Sequence, residues 1–295
     1  MLASGPYHVN ADHLESGRMR GCESATRGRN AVTTVDKALS LLEHFSDLKP
    51  EIGLSEFARL SGFDKSAALR MLGALVRAGF VEQDVRSRKY HLGRSFLRFA
   101  RMREEAFPMT QVLRPFAERL VEQTGETCHI GIFSAGKLAA GIVVLSPQSN
   151  RVHVAQGLNL PLHATASGLC FLAFSEPDEA RRLLGSGPLE DFNANTMTDP
   201  ERVLRECARF RLQGFSLSAA NFDADVKSVA APIFDADNNV FGTLALAAPM
   251  IRAHDSATIE NGRLVCGMAM EATRAFAGDV PDWYTRIVGD LDKAA

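Results

Sequence analysis

The sequence has few cysteines, and their spacing does not suggest a metal site. A zinc site or a disulfide framework requires paired or regularly spaced cysteines, and no CxxC pair occurs here. Cys128 and His129 are adjacent, but neighbours on a strand point to opposite faces, so they are not expected to share a metal. We therefore predict no metal and no cofactor. The five cysteines are Cys22, Cys128, Cys170, Cys207 and Cys266.

Long apolar runs are also missing. A membrane-spanning helix needs about 20 consecutive apolar residues, and no run approaches that length. The first residues lack the apolar centre of a secretory signal peptide. A chain of 295 residues with 46% hydrophobic and 23% charged residues is typical of a globular protein with two domains. We expect a cytoplasmic protein with no membrane partner.

The net charge is small but unevenly distributed. The whole chain carries −2. Residues 27–103 contain 15 Lys and Arg against 8 Asp and Glu, a balance of +7, which leaves −9 for the remainder. A cationic domain is suited to a polyanion such as nucleic acid. Only the N-terminal part of the chain is therefore expected to bind DNA.

Residues 54–80 have the pattern of two short helices joined by a tight turn. Ser55 is the predicted N-cap of the first helix, and Gly62 suits the left-handed residue that ends it. Asp64 is the predicted N-cap of the second helix, at residues 65–78.

The second helix is predicted to have an apolar face and a face of small and basic residues. At helical spacing, the core positions are expected to be Leu69, Leu72, Leu75 and Val76. Small side chains let a helix enter the major groove, and basic ones meet phosphates or guanine edges. The positions predicted to contact DNA are Lys65, Ser66, Ala67 and Arg70. Taken alone, the pattern also fits an ordinary helical hairpin with a solvated basic face.

A short hairpin follows directly. Residues 80–83 and 89–92 are strand-like and enclose a polar loop. Its tip is predicted to hold three cations beside the DNA backbone: Arg86, Arg88 and Lys89. A helix-turn-helix followed by a basic hairpin is a winged helix, so DNA binding becomes the leading interpretation.

The remaining segments are predicted from their periodicity. A first helix at 32–45 is expected to bury Val35, Ala38, Leu39, Leu42 and Phe45, and an amphipathic helix at 94–105 to join the two halves. Strands and helices then alternate as an α+β domain, with a strand at 151–156, a loop at 161–167 and a helix from Gly168. The segment after Gly278 is amphipathic and either docks or stays free.

Several motifs, in this order, resemble the IclR family of bacterial transcription regulators over residues 31–276. They are VTTVDKAL at 32–39, KS at 65–66 with Arg70, KYHLG at 89–93, LHATASG at 162–168, RLQGF at 211–215 and VAAPIFD at 229–235. The resemblance implies homodimers, often pairing into homotetramers, that bind palindromic operators in double-stranded DNA. It also implies an α+β chain with an N-terminal winged helix-turn-helix, a linker helix and a C-terminal GAF-like effector-binding domain with an antiparallel sheet. The resulting domains are a disordered leader at 1–30, the winged domain at 31–93, the linker helix at 94–108, the GAF-like domain at 109–277 and a C-terminal tail at 278–295.

The resemblance also implies a pocket for a small-molecule effector. Carried over by position, its lining would be Leu160, Ala166, Ser167, Ser218, Ser228, Ala245 and Ala247. Alanines at 245 and 247 stand where sensors of small keto acids in the family have hydroxyl residues. Fewer donors and more methyl surface favour a larger or more apolar ligand, such as an aromatic carboxylic acid.

We predict a ligand-responsive transcriptional regulator of a catabolic operon, without enzymatic activity. A hydrolase using Ser167 with His163 or His129 is one alternative, but the sequence has no GxSxG elbow and no clear acid partner. The other alternative is a DNA-binding scaffold whose second domain only dimerises.

Overall fold

The computed structural model describes residues 33–46 and 49–293. The chain divides into two units between Ala100 and Arg101. The predicted leader, residues 1–30, lies outside the described residues. Within the described ranges, no helix is both long and apolar enough to span a bilayer.

The first unit is a helix-turn-helix followed by a hairpin. Its elements are α1 (Thr34–Ser40), a 3-10 turn (Leu41–His44), α2 (Leu54–Ser61), α3 (Lys65–Arg77), β1 (Val81–Gln83) and β2 (Tyr90–Leu92), and α4 (Ser95–Ala106) continues across the division. The two strands are antiparallel, with Glu82 opposite His91. Ile52 and Tyr90 exchange two backbone hydrogen bonds of 2.9 Å, which tie the segment before α2 to the hairpin.

The core of the first unit uses a different row of α3 from the one predicted. Leu69 and Val76, expected in the core, are 50% and 37% exposed. The buried row is Ala68, Met71, Leu72 and Leu75, at spacing i, i+3, i+4 and i+7. The apolar face of α3 is wider than this row, so its edge residues remain in solvent.

The helices before α3 also depart from the prediction. α2 begins directly after Gly53, so Ser55 lies inside its first turn and is not the N-cap. The α-helical part of α1 stops at Ser40, and the tighter 3-10 turn places Leu41 in the core. Val35 and Leu39, which were predicted to be buried, are exposed.

The second unit contains a five-stranded antiparallel sheet in the order β4-β3-β7-β6-β5. The strands are β3 (Thr127–Ser134), β4 (Lys137–Val144), β5 (Ser216–Ala219), β6 (Val226–Phe234) and β7 (Val240–Pro249). The helices are α5 (Met109–Thr124), α6 (Ala166–Phe174), α7 (Pro177–Leu184), α8 (Pro200–Gln213), α9 (Asp255–Ala275) and α10 (Asp282–Lys293). α5 packs with α9, and both contact the sheet, while α6 packs on β5, β6 and β7 and on α8.

The C-terminal segment docks. In α10, the Tyr284 ring is fully buried beside Phe174 and Phe234, and its hydroxyl donates to the Gly214 carbonyl at 2.9 Å. Gly214 ends α8 in a left-handed conformation. α10 therefore closes the core at the end of α8.

Two predicted elements of the second unit are wrong. Residues 151–156 form no strand. The Val152 carbonyl accepts instead from Thr127 Oγ1 at 2.7 Å, and the carbonyl of Asn150, just before the segment, accepts from Arg252 Nη1 at 2.7 Å. α6 begins at Ala166 rather than Gly168, since Thr165 is its N-cap and accepts from the Gly168 amide at 2.9 Å. Ala166 and Ser167 thus lie in a helical turn, not in a loop.

Candidate functional site

The amino-terminal end of α3 is exposed and rigidly capped. The Asp64 carboxylate accepts hydrogen bonds from the Ser66 hydroxyl at 2.6 Å and the Ala67 amide at 2.8 Å. These bonds, the one from Ser66 first, hold the pKa of Asp64 below its ordinary value. Lys65 and Arg70 are exposed and form no salt bridge with another described residue. The helix end therefore offers two exposed cations, of which Arg70 also helps to lower the pKa of Asp64 through its charge.

The residues predicted to contact DNA differ in what they can offer. Lys65, Ser66 and Arg70 are exposed, whereas Ala67 is half-buried and packs against the core of the first unit. The Ser66 proton is committed to Asp64, so this hydroxyl can only accept hydrogen bonds from a base. The side chains at this end of α3 that can donate hydrogen bonds to a base are therefore Lys65 and Arg70.

An open groove of about 550 Å³ lies between α1 and α3. Lys37 of α1 and Arg70 of α3 both line it. The sequence reasoning missed Lys37, because α1 was interpreted only as a support for the helix pair. The groove is lined by Thr34, Lys37, Ala38, Gly62, Phe63, Asp64, Ala67, Arg70, Met71 and Ala74.

The tip of the hairpin is an ordered turn organised by Asp84. Its carboxylate accepts from the backbone amides of Ser87 at 2.6 Å and Arg86 at 3.1 Å. These bonds, chiefly the one from Ser87, lower the pKa of Asp84. Arg88 has a φ of 60°, in the left-handed region. The three predicted cations Arg86, Arg88 and Lys89 are all exposed at this tip.

A cavity of about 80 Å³ lies beside the start of α6 in the second unit. Ser218, Ser228 and Ala247 form one row across β5, β6 and β7 and supply its floor. Because these side chains are small, the row leaves space above the sheet. The remaining lining residues are His129, Val152, His153, Val154, Leu158, Leu160, Thr165, Ala166, Phe222, Asp223 and Val226.

Most of the predicted effector-binding positions meet at this cavity. Those that line it are Leu160, Ala166, Ser218, Ser228 and Ala247. Ser167 and Ala245 do not line it. Ala245 is fully buried opposite His129 in the neighbouring cross-strand row, and the Ser167 side chain hydrogen-bonds to the same histidine. Both residues therefore lie beside His129 rather than at the cavity surface, and their role in ligand contact stays a prediction.

Sequence reasoning missed several lining residues. Phe222 and Asp223 lie between β5 and β6, in a segment without periodic pattern. Val152 and Val154 were assigned to a strand rather than to a cavity wall. His129 was considered only as a catalytic base or metal ligand. The alternation of β3 was the one available signal, since it places His129 on the same face as Thr127.

Two serine hydroxyls fasten the turn before α6 and its first residue to β5. Ser216 Oγ donates to Ala166 O at 2.6 Å, and Ser218 Oγ donates to Ala164 O at 2.9 Å. Ser218 can therefore offer a ligand only an acceptor. At Gly168, a Cβ would lie 2.4 Å from the Pro161 carbonyl oxygen, so only glycine allows this close approach of the turn to α6.

His129 and Ser167 form a buried pair. His129 Nε2 and Ser167 Oγ are 2.9 Å apart, and burial lowers the pKa of His129 to about 4. In a Ser-His-Asp triad, an acid orients the second imidazole nitrogen. His129 Nδ1 has no such partner among the residues that the structure describes. The geometry does not support the hydrolase alternative.

Comparisons with known proteins identify both units. Residues 34–85 match the IclR helix-turn-helix domain, and residues 105–271 match the domain described as bacterial transcriptional regulator IclR C-terminal. The transcriptional repressor IclR of Escherichia coli K12 is 25% identical over 256 residues, which cover 84% of this chain and 91% of that protein. The HTH-type regulator BhcR of Paracoccus denitrificans is 27% identical over 242 residues, covering 81% and 86%.

Solved structures agree with the sequence matches. An IclR transcriptional regulator from Silicibacter sp. TM1040 has a TM-score of 0.80 and 36% identity, covering 85% of this chain and 99% of that one. An IclR homologue from Microbacterium hydrocarbonoxydans, solved as a complex with 4-hydroxybenzoate, has a TM-score of 0.67 at 23% identity and covers 82% and 100%. The named relatives are transcriptional regulators rather than enzymes. With a winged helix-turn-helix, a GAF-like α+β second unit and both family domains present, the chain belongs to the IclR family of DNA-binding bacterial transcriptional regulators.

Proposed function

We propose that this regulator controls a catabolic operon and that a small aromatic carboxylic acid, bound in the cavity beside α6, changes its affinity for DNA. The observation that carries the proposal is a cavity of about 80 Å³ whose lining is largely apolar and includes the start of α6. The walls include Leu158, Leu160 and Phe222. An aromatic ring is the ligand part that such walls bind best.

The start of α6 supplies the polar end of the proposed site. The first amides of a helix have no intrahelical acceptor and lie at the positive end of its dipole. Ala166 lines the cavity at this position, and Ser167 follows it. None of the described lining residues is Lys or Arg. A carboxylate would therefore be held by hydrogen bonds, without an ion pair.

On DNA, we propose that α3 enters the major groove. Lys65 and Arg70 would reach bases or nearby phosphates. Ser66 and the exposed part of Ala67 would face the wall of the DNA major groove. The three cations of the hairpin tip, Arg86, Arg88 and Lys89, would contact the adjacent backbone. A homodimer, or a dimer of dimers, would read a palindromic operator in the cytoplasm.

A thermal-shift screen combined with DNA-binding measurements tests this function. A ligand that binds only the native state raises the Tm. We expect benzoate or 4-hydroxybenzoate to raise the Tm more than pyruvate or glyoxylate does, and to change the Kd for the duplex upstream of the protein's own gene. Tight pyruvate or glyoxylate binding without aromatic-acid binding would contradict the ligand class. A Kd for DNA that no acid changes would favour the dimerising scaffold instead.

A further inference from the structure

His129 has one satisfied and one unsatisfied ring nitrogen. Nε2 is 2.9 Å from Ser167 Oγ, whereas Nδ1 is buried without a hydrogen-bond partner among the residues that the structure describes. The residue is 5% exposed and lines the cavity beside α6. A buried polar atom without a partner is uncommon in native structures and points to a group that is bound during function.

Ser167 determines which nitrogen carries the proton. The Ser167 side chain is 1% exposed, and its only hydrogen bond among the described residues is to His129. If Nε2 carried the proton, the serine hydroxyl would have to accept, and its own proton would be buried without an acceptor. If Ser167 donates to Nε2 instead, both atoms of that contact are satisfied. This arrangement leaves the imidazole proton on Nδ1.

The surroundings of His129 favour a neutral ring. Burial lowers the pKa of His129 to about 4, so the imidazole is uncharged near neutral pH. The nearby start of α6 also presents donors, because the first helical amides lack intrahelical acceptors. The lining residues therefore offer the imidazole N–H and the free amides at the start of α6, and the complementary ligand atom is an oxygen with free lone pairs.

We propose that His129, fixed by Ser167 with its proton on Nδ1, donates a hydrogen bond to a carboxylate oxygen of the effector, so that the carboxylate lies at the start of α6. This rests on the proposed function, since it takes the ligand to be a carboxylic acid. His129 is the ligand-contacting residue, and Ser167 is a positioning residue that sets the tautomer. Asp223, which is exposed, is the one carboxylate among the described lining residues.

The first measurement uses the free protein. Imidazole ¹⁵N NMR of the full chain, with the His129 signals assigned from the His129→Gln spectrum, reports the tautomer directly. We expect the proton on Nδ1, and a shift toward a mixture of tautomers in Ser167→Ala. A proton on Nε2 in the wild-type chain would overturn the inference, whether or not any acid binds.

The second measurement compares affinities for benzoate and 4-hydroxybenzoate by calorimetry. Loss of a hydrogen bond to a charged oxygen should weaken binding about tenfold or more in His129→Leu, while His129→Asn, which keeps an N–H donor, should recover part of the loss. His254→Gln, at an exposed position outside the lining, is the control and should change Kd by less than about twofold. Equal Kd values in the wild type and His129→Leu, with both folded by Tm, would reject the inference while leaving the proposed function intact. If neither acid binds the wild type, the proposed ligand class fails, and the tautomer measurement alone decides the role of the pair.

Discussion

Arg252 and Glu126 form a bidentate ion pair in which Nε and Nη2 each donate to a different carboxylate oxygen at 2.8 Å. Arg252 also donates to the Asn150 carbonyl at 2.7 Å. The pair connects the residue before β3, the segment after β4 and the turn after β7. Through Asn150, it positions the segment that supplies Val152 and Val154 to the cavity wall.

Breaking this pair should destabilise the second unit. Arg252→Ala leaves the carboxylate of Glu126, which is 8% exposed, without its partner, so we expect the Tm to fall by about 3–6 °C. The exposed pair Arg119–Glu271, also at 2.8 Å, is the matched control. Arg119→Ala should shift the Tm by about 1 °C or less. Differential scanning fluorimetry measures both, and equal shifts would show that the Glu126 pair has no special role.

Arg70 is expected to contribute to operator specificity. If its guanidinium binds a guanine edge, Arg70→Ala should weaken specific binding by about 1–3 kcal/mol and leave binding to scrambled duplex nearly unchanged. Fluorescence anisotropy on both duplexes measures the difference. Arg286→Ala, an exposed arginine of α10, is the control and should have no effect. An equal loss on scrambled DNA would identify Arg70 as a phosphate contact.

The hairpin tip is expected to act through charge alone. Arg86→Gln should weaken binding to operator and scrambled duplex alike and lower the slope of log K against log salt by about 0.9, because one phosphate contact is lost. Val85→Gln provides a neighbouring control, since Val85 is 85% exposed and uncharged. A salt slope that is unchanged in Arg86→Gln would place the tip away from the DNA backbone.

The buried imidazole should make stability depend on pH. The pKa of His129 is about 4 in the folded protein against an ordinary value of 6.5, so the unfolded chain binds the proton more readily. Stability is therefore lost as pH falls from about 6.5 toward 4, by about 2 kcal/mol between pH 7 and pH 5. Urea unfolding at the two pH values measures this loss. The loss of unfolding free energy between the two pH values should be about 2 kcal/mol smaller in His129→Asn than in the wild type. In His153→Gln, it should equal the wild-type loss.

Docking of α10 should be needed for the stability of the second unit. Tyr284→Phe removes the hydrogen bond to Gly214 O and should cost about 1 kcal/mol, whereas Tyr284→Ala empties a fully buried site and should cost about 3–5 kcal/mol. Burial raises the pKa of Tyr284 well above its ordinary value, so the side chain remains a neutral phenol. Its contribution is therefore retained at neutral pH and lost only in strong alkali. Urea unfolding that does not distinguish Tyr284→Ala from wild type would show that α10 is dispensable.

Elements with strong local signals were predictable from the sequence. Asp199 and Pro200 mark the start of α8, and a β-rich apolar run marks β6. The failures have a common cause. Which edge of a wide apolar face is covered, as on α3, and which strand candidate finds a partner, as at 151–156, depend on distant residues.

The residues of the cavity were likewise predictable only in part. The resemblance to a family supplied positions on the sheet and the start of α6, because these are fixed by backbone register. It did not supply the contact between His129 and Ser167, which lie 38 positions apart and were paired only as one option of the hydrolase alternative. Nor did periodicity reveal Phe222 and Asp223, since a connecting segment has no repeat from which its direction can be deduced.

The bonds from Ser216 and Ser218 to the carbonyls of Ala166 and Ala164 couple the edge strand β5 to the start of α6. β5 has a sheet neighbour on one side only, so it has more freedom to shift than the central strands. A ligand that displaces the first turn of α6 would therefore also displace β5 and the connection that follows it. Ligand binding in the cavity would in this way shift the exposed edge of the sheet, where a partner molecule can contact it.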